Sequence, residues 1–340
     1  MSNPNDVSDK VFSLLGDADV GSSANISYES TSKKAYQNLL RYGNVTSYSQ
    51  LTELHRCPRK FQLMKQQADK RASLDAVEEN LDFAFGHAVG AGVQSYMVTR
   101  DSDAALFNSF MAWNAGFDER DQKGSKSIWE AHIAVEKFIP FANEVLSDWE
   151  ILTLESGKPA IEIAFSIHAE RGNRHYGHMD LGMRNIRSGR VAVGEVKTTK
   201  YKQVEEAFYT NSGQGVSYST MLETLYPGIT EYDVNYLVYS SSAREWNLLP
   251  FTKTVKNKAE WIKDLLLDHS MIETYERIHF YPKRGEACYS FNRRCQYFGE
   301  CNLVADGPLP RLEETEEAEP VDYILRLEDI INVQKQRTEE

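Results

Sequence analysis

Cysteine is scarce in this sequence, with four in 340 residues. That scarcity excludes a secreted disulfide framework, which packs more cysteines into a shorter chain, and makes a reduced compartment with metal-binding thiols the better reading. Long apolar runs are missing as well. A helix needs about 18 or more consecutive apolar residues to cross a bilayer, and none is present. The opening MSNPNDVSDK lacks the basic-then-apolar order of a secretion signal, so a soluble, cytoplasmic protein without a membrane partner is expected. Positive charge is short too: 38 Lys and Arg face 50 Asp and Glu, a formal net charge of -12. Phosphate binding usually draws on clustered Lys and Arg, so the total weighs against a nucleic-acid partner. The excess is uneven, however. From Asp306 onward eleven acidic residues meet four basic ones, and carboxylates gathered at a metal site would lower the total further. Net charge therefore decides little.

What is present suits one large domain or two closely joined ones, with 41% hydrophobic and 11% aromatic residues available for a core. Residues 1–45 are rich in Ser, Asn and Asp and read as a variable leader. SYSQLTELHRCPRKFQLMKQQ reads as a helix capped by Ser47 or Ser49, with Leu51, Leu54, Phe61 and Met64 at helical spacing and Pro58 breaking or kinking it midway. Leu81 to Val98 predicts a largely buried helix carrying His87, and Ile128 to Val145 a third, within a helical insert over about 100–150. The period then changes to two. Ile161, Ile163, Phe165 and Ile167 alternate as a strand requires, and HYGHMDLGMRN and RVAVGEVKT follow as two more strands around the turn IRSG. A helix from about Gln214 to Leu225 stops before Pro227-Gly228, and the strands DVNYLVYS and EWNLLPF come next. Lys256 to Ile278 predicts a long helix leading into a cysteine-rich end at 288–301. Residues 306–340 form an acidic tail whose Ile324, Leu327, Ile330 and Ile331 recur at helical spacing, for packing or for a partner.

The chemistry concentrates in GHMD, fourteen residues, then EVK: Asp180 on one strand, Glu195 and Lys197 on the next. Residues two apart on a strand share a face, so Glu195 and Lys197 project together while Val196 turns inward. If the strands pair as a hairpin, Asp180 faces the same pocket. An E-x-K on a strand is often only a solvated face, but Val191 and Val193 make this strand apolar, and a charged pair at its end needs a reason to be there. Two close carboxylates repel unless a cation lies between them, and hard oxygen ligands select Mg²⁺ or Mn²⁺. Such a cation activates a phosphodiester and a bound water, and Lys197 would position or help deprotonate that water. The inferred reaction is phosphodiester hydrolysis.

With SYSQLTELHRCPRKFQL, FGHAVG, GHMDLGM, VGEVKT, QGVSY and CYSFNRRCQYFGEC in this order, the chain resembles the RecB-like branch of PD-(D/E)XK nucleases over roughly Ser47 to Asn302. That branch includes the nuclease module of AddB, iron-sulfur CRISPR-adaptation nucleases and phage exonucleases. The resemblance implies an α/β, restriction-endonuclease-like core over 46–305, a mixed central sheet flanked by helices, with helical additions and a cysteine-rich iron-sulfur clamp. It implies metal ligands at His87, Asp180, Glu195 and the backbone carbonyl of Val196, and a catalytic lysine at Lys197. Gln214 and Tyr218, four apart on one helix face, match the Q-x-x-x-Y motif and are expected to contact substrate or metal-bound water, where the plain alternative is a core tyrosine on an amphipathic helix. Glu162 sits where many members carry an acidic residue, without an expected catalytic role. His175 and His178, near a turn and strand start, are read as surface or substrate-facing. Tyr201, Phe208 and Tyr209 are read as base-stacking or packing residues.

The family's iron-sulfur members take one cluster ligand before the core and three after it, a layout matched by Cys57, Cys288, Cys295 and Cys301, although the first gap is six residues rather than two. A 4Fe-4S cluster is expected, with zinc or four unrelated thiols as alternatives. The implied function is a metal-dependent DNA exonuclease in recombination, repair or phage DNA processing, in a bacterial cytoplasm, acting on single strands or duplex ends beside a helicase or recombination protein. A nuclease-fold scaffold without activity is the alternative, and intact Asp180, Glu195 and Lys197 argue against it. A restriction-type endonuclease fits the cysteine frame and Q-x-x-x-Y poorly.

Overall fold

Alternating apolar residues build one sheet, and helices with apolar stripes cover both of its faces. In the computed structural model, residues 44–339 are described except 73–80, 114–124, 170–171, 230, 279, 291–292 and 302–320. The leader and the acidic EETEEAEP stretch lie outside the described residues, apart from the leader's last two positions. The chain enters through β1 (Val45–Ser47), α1 (Tyr48–Arg56) and α2 (Pro58–Ala72). Pro58 does not kink one helix. It starts a second, after Cys57 in an extended conformation at φ -159°, because the ring is tolerated in a first turn where no N–H is needed. Helices α3 (Leu81–Thr99), α4 (Ser102–Met111) and α5 (Ile128–Val145) follow, then β2 (Trp149–Ile151), β3 (Ile161–His168), β4 (Arg174–Asn185) and β5 (Val191–Thr199). After α6 (Ala207–Thr210) and α7 (Gly213–Leu225) come β6 (Glu231–Ser240), β7 (Glu245–Thr254) and α8 (Val255–Arg277). A small hairpin, β8 (Tyr289–Ser290) with β9 (Arg293–Arg294), precedes β10 (Tyr323–Arg326) and α9 (Leu327–Glu339).

Among the described residues the sheet has eight strands in the order β10-β3-β4-β5-β6-β7, with β1 and β2 also paired to β4. Antiparallel steps join β3 to β4 to β5, and a parallel step joins β5 to β6, so the sheet is mixed, as a restriction-endonuclease-like core requires. Alternation divides the core in two. Val191, Val193, Val234 and Tyr236 pack against α7, α8 and α1, while Ala192, Leu237 and Tyr239 pack against α3 and α5. The helical insert thus forms the second layer. Its anchor to the sheet is Glu130 of α5, buried, which accepts from the Tyr239 hydroxyl at 2.8 Å and from the Arg244 guanidinium at 2.9 Å. By contrast the Arg184–Glu150 pair is exposed and screened by solvent, so β2 is held by its backbone ladder.

Two features escaped the pattern. The tail contributes a strand: β10 pairs in parallel with β3, and Asp322 accepts the Ala164 N–H at 2.9 Å. Leu325, Leu327 and Ile331 then bury in the core. His175 is not at the surface either. It is 1% exposed, edge-on to Trp261 at 5.6 Å, because β1 and α8 close over the start of β4. Beside it, the Thr46 hydroxyl donates to the Arg174 carbonyl and therefore takes its second bond from Nε2–H of buried His269. His178, on the other face, is exposed as expected.

Gly177 leaves room for the edge-to-face pair Phe165–Tyr218, since a Cβ there would meet Phe165 Cζ at 2.3 Å. Gly177→Ala is expected to lower stability by about 1–3 kcal/mol, read by denaturant titration. Burial lowers His175 to about 3, with the charge of His269 adding to the effect, and burial lowers His269 to about 4. Both rings are neutral when folded, whereas an unfolded chain takes up protons below its ordinary value of 6.5. This contribution to stability is therefore complete above about pH 6.5 and lost as pH falls through about 4 and then 3. Wild type is expected to lose more stability between about pH 7 and 4.5 than His175→Phe, which cannot take up the proton; equal losses would contradict the assignment.

Candidate active site

Strand β4 is paired to β5 only from Leu181↔Gly194 to Arg184↔Val191. Before Leu181 the two strands part, and the earlier end of β4 is met by β1 instead. The first positions past the parting are Asp180 and Glu195, opposite one another in register. On the other side of β4, the pairs Ile161↔Leu181 and Ile163↔Met179 bracket Glu162 opposite Asp180. Three carboxylates therefore occupy one row across β3, β4 and β5.

The row is locally strained. Glu162 has φ +48°, a left-handed conformation costly for a residue with a Cβ, and Ile161 and Ile163 on either side of it pack against opposite layers of the core. Its carboxylate accepts from Nε2 of Gln94 on α3. Asp180 takes the N–H of Val196 at 2.9 Å, bridging the parted strands. Glu195 is 1% exposed, and its Oε1 accepts from Lys197 Nζ at 2.6 Å and Gln214 Nε2 at 2.7 Å. Gln214, at the start of α7 behind the cap Ser212, also donates to the Tyr218 hydroxyl at 2.9 Å. Glu195 Oε2 is buried with no hydrogen-bond partner among the described residues.

Charge follows from this packing. Burial and then the neighbouring Glu195 raise Asp180 well above the ordinary carboxylate range, against the pull of Lys197 and the Val196 N–H. Burial raises Glu195 too, with Glu162 adding repulsion. Burial works against the charge of Lys197, but Glu195 and Asp180 outweigh it and the ammonium is stabilised. Lys197 is thus a donor here and not a proton acceptor. Burial, followed by Glu195, also keeps Tyr218 in its neutral phenol form. Three carboxylates face one lysine, and a buried oxygen lacks a donor; this set fits a hard divalent cation. No group of three or more His, Cys, Asp and Glu already stands in a metal-holding arrangement among the described residues.

The structure thus gathers Asp180, Glu195, Lys197, Gln214 and Tyr218, the last both a core residue and a member of the site. His87 is exposed on α3, two turns before Gln94 on the same helix face, and does not form a ligand group with the carboxylates as they stand. Sequence reasoning missed Gln94. Its signal was a buried amide in a nearly all-apolar helix, which demands a partner. Tyr209 packs on Tyr236 at 4.8 Å, whereas Tyr201 and Phe208 are 52% and 71% exposed. Burial and then Cys295, Cys57 and Cys301 raise the Cys288 thiol, but the four cysteines do not stand as a metal-holding group among the described residues. Cys295 N–H donates to the Cys288 carbonyl at 2.9 Å, and Arg59 N–H donates to the Pro282 carbonyl at 3.1 Å, tying α2 to this end of the chain.

A mixed sheet that parts beneath an Asp, a Glu-x-Lys and a capping Gln defines a nuclease fold. The chain belongs to the PD-(D/E)XK nuclease superfamily, whose family model matches residues 45–302. No curated protein matches the sequence. Among solved structures, a proposed exonuclease from Eubacterium rectale is similar at 13% identity over 79% of this chain and 92% of that one, with a TM-score of 0.44. SSO0001 is similar at 11% identity over 61% of this chain and 84% of that one, with a TM-score of 0.25. Both likenesses are remote, and the family rests on the sequence match. Among the described residues no helix is long and apolar enough to cross a membrane.

Relieving the repulsion has a measurable consequence. Without metal, Asp180→Asn keeps an acceptor for Val196 N–H and removes one charge, so its Tm is expected to rise by about 2–4 °C, equivalent to about 1 kcal/mol. A fall in Tm would mean that the carboxylates do not repel.

Proposed function

We propose that this nuclease is a metal-dependent DNA exonuclease of the RecB-like type, acting in recombination, repair or phage DNA processing. The observation that carries the reading is the buried carboxylate of Glu195, whose Oε2 has no hydrogen-bond partner among the described residues and whose Oε1 is bonded through Gln214 to Tyr218. In this reading Asp180, Glu195 and the Val196 carbonyl hold Mg²⁺ or Mn²⁺, with His87 joining them from α3. A divalent cation there supplies Lewis acidity toward the phosphodiester and lowers the pKa of a bound water. Lys197, kept charged by the two carboxylates, offsets charge on the attacked phosphate and orients the attacking water. Gln214 holds Glu195 in place and takes its own orientation from Tyr218. Cys57, Cys288, Cys295 and Cys301 hold a 4Fe-4S cluster that clamps α1 and α2 to the cysteine-rich end; the backbone bond from Arg59 N–H to the Pro282 carbonyl supports this reading.

End-labelled linear and circular DNA, with Mg²⁺, Mn²⁺ or EDTA, test it. Wild type is expected to degrade linear DNA only with metal and to spare circles, while Lys197→Ala loses about 10²–10³ in rate, as when one preorganised donor is removed. Binding without any cleavage would replace the reading with that of an inactive scaffold. Cleavage of circles would make the protein an endonuclease.

A further inference from the structure

His55, Arg56 and Lys60 of α1 and α2 are spent on pairs within the protein. Arg56 and Lys60 pair with Glu53, and His55 pairs with Asp268 at 2.6 Å. The β8–β9 end of the chain differs. Residues 282–301 carry four basic residues against two acidic ones, in a chain whose net charge is -12. On this hairpin Tyr289 and Arg294 are cross-strand partners and so share a face, and Arg294 lies over the Phe298 ring at 5.0 Å. All three are exposed, Tyr289 at 61% and Phe298 at 49%. An aromatic, a cation and an aromatic thus form one continuous strip facing solvent, where burial would ordinarily be expected of two large rings.

The place of the strip relative to the carboxylates can be traced through α1. Its first residue, Tyr48, meets Ser212, the cap of α7 that precedes Gln214, with 3.3 Å between the hydroxyls. Just past its far end at Arg56, Arg59 N–H donates to the Pro282 carbonyl at 3.1 Å, which brings the chain leading into the β8–β9 hairpin beside it. Nine helical residues span about 13 Å. For a strand that keeps its bases stacked at the duplex rise of about 3.4 Å per nucleotide, that is about four nucleotides.

We propose that Tyr289, Arg294 and Phe298 form a stacking platform for single-stranded DNA, holding bases about four nucleotides from the bond cut at Asp180 and Glu195. The rings stack on bases whatever their sequence, and the guanidinium pairs with the backbone. A rigid duplex offers its bases edge-on inside a groove, so a strip of this kind favours unpaired bases. The platform sets how many nucleotides beyond the cut must be unpaired for full affinity. It rests on the nuclease reading for its role, but its test does not depend on cleavage.

Fluorescence anisotropy with the full chain and labelled oligo(dT) in EDTA provides that test. Affinity of wild type is expected to rise as the oligonucleotide grows beyond about four nucleotides and to fall with salt. Tyr289→Ala with Phe298→Ala should weaken a long oligo(dT) by about 10-fold or more and leave a tetranucleotide unchanged. Arg294→Glu, which alters no ring, should do likewise, with Arg294→Lys recovering part of the loss. Unchanged affinity for long oligo(dT) overturns the platform, as does an equal loss on short and long strands. A loss confined to duplex DNA overturns it as well. Absence of cleavage in the linear-DNA assay would sink the nuclease reading alone, leaving the length dependence to stand or fall by itself.

Discussion

The parting of β4 from β5 is the constraint on which the site depends. One long strand, Arg174–Asn185, serves four partners: β3 and β2 along one edge, β5 and β1 along the other. Because β5 claims only the last part of that edge, the ladder opens at a fixed residue. A continuous ladder would leave no gap for a substrate or cation and no free Val196 N–H for Asp180 to accept. Small residues line the opening: Gly177 admits Phe165 and Tyr218, and Gly194 admits Leu181 and Met183. The geometry of the candidate site is thus a consequence of strand competition for one backbone edge.

Burial and charge oppose each other here, and their balance assigns roles. Desolvation alone would neutralise Lys197 as well as the carboxylates, yet the two acids hold it charged. The acids themselves are driven toward protonation, so the apo site is a place of unmet charge rather than a stabilising salt bridge. Glu162 adds to this by its charge and by its backbone, since a left-handed φ opposite Asp180 persists only where surrounding contacts impose it. Gln94, fixed in an apolar helix, supplies one such contact.

Period and spacing made much of this visible in the sequence. Glu195 and Lys197 share a face because strand parity is local, and Asp180 joins them because a short turn sets the hairpin register. Gln214 and Tyr218 were legible for the same reason, four residues being one helical step. The features that were hidden join residues far apart in the chain. Val45 pairs opposite Arg174, and Tyr323 opposite Phe165; no window of sequence carries either event. His175 was misplaced on that account, because the elements that bury it begin at Val45 and Val255. The left-handed Glu162 likewise follows from a cross-strand setting and not from its neighbours in sequence.

The parallel pairing of β10 with β3 also has a meaning for the order of events in the cell. Asp322 closes on Ala164 across a separation of 158 residues, so the edge of β3 stays open while the chain between them is being synthesised. An open edge with unpaired amides is a template for the wrong strand, and this one belongs to the hydrophobic centre of the molecule. Strand β10, made after the other described strands of the sheet, therefore acts as a seal: until it is in place, the nascent chain carries Asp180, Glu195 and Lys197 on a sheet that is still unfinished.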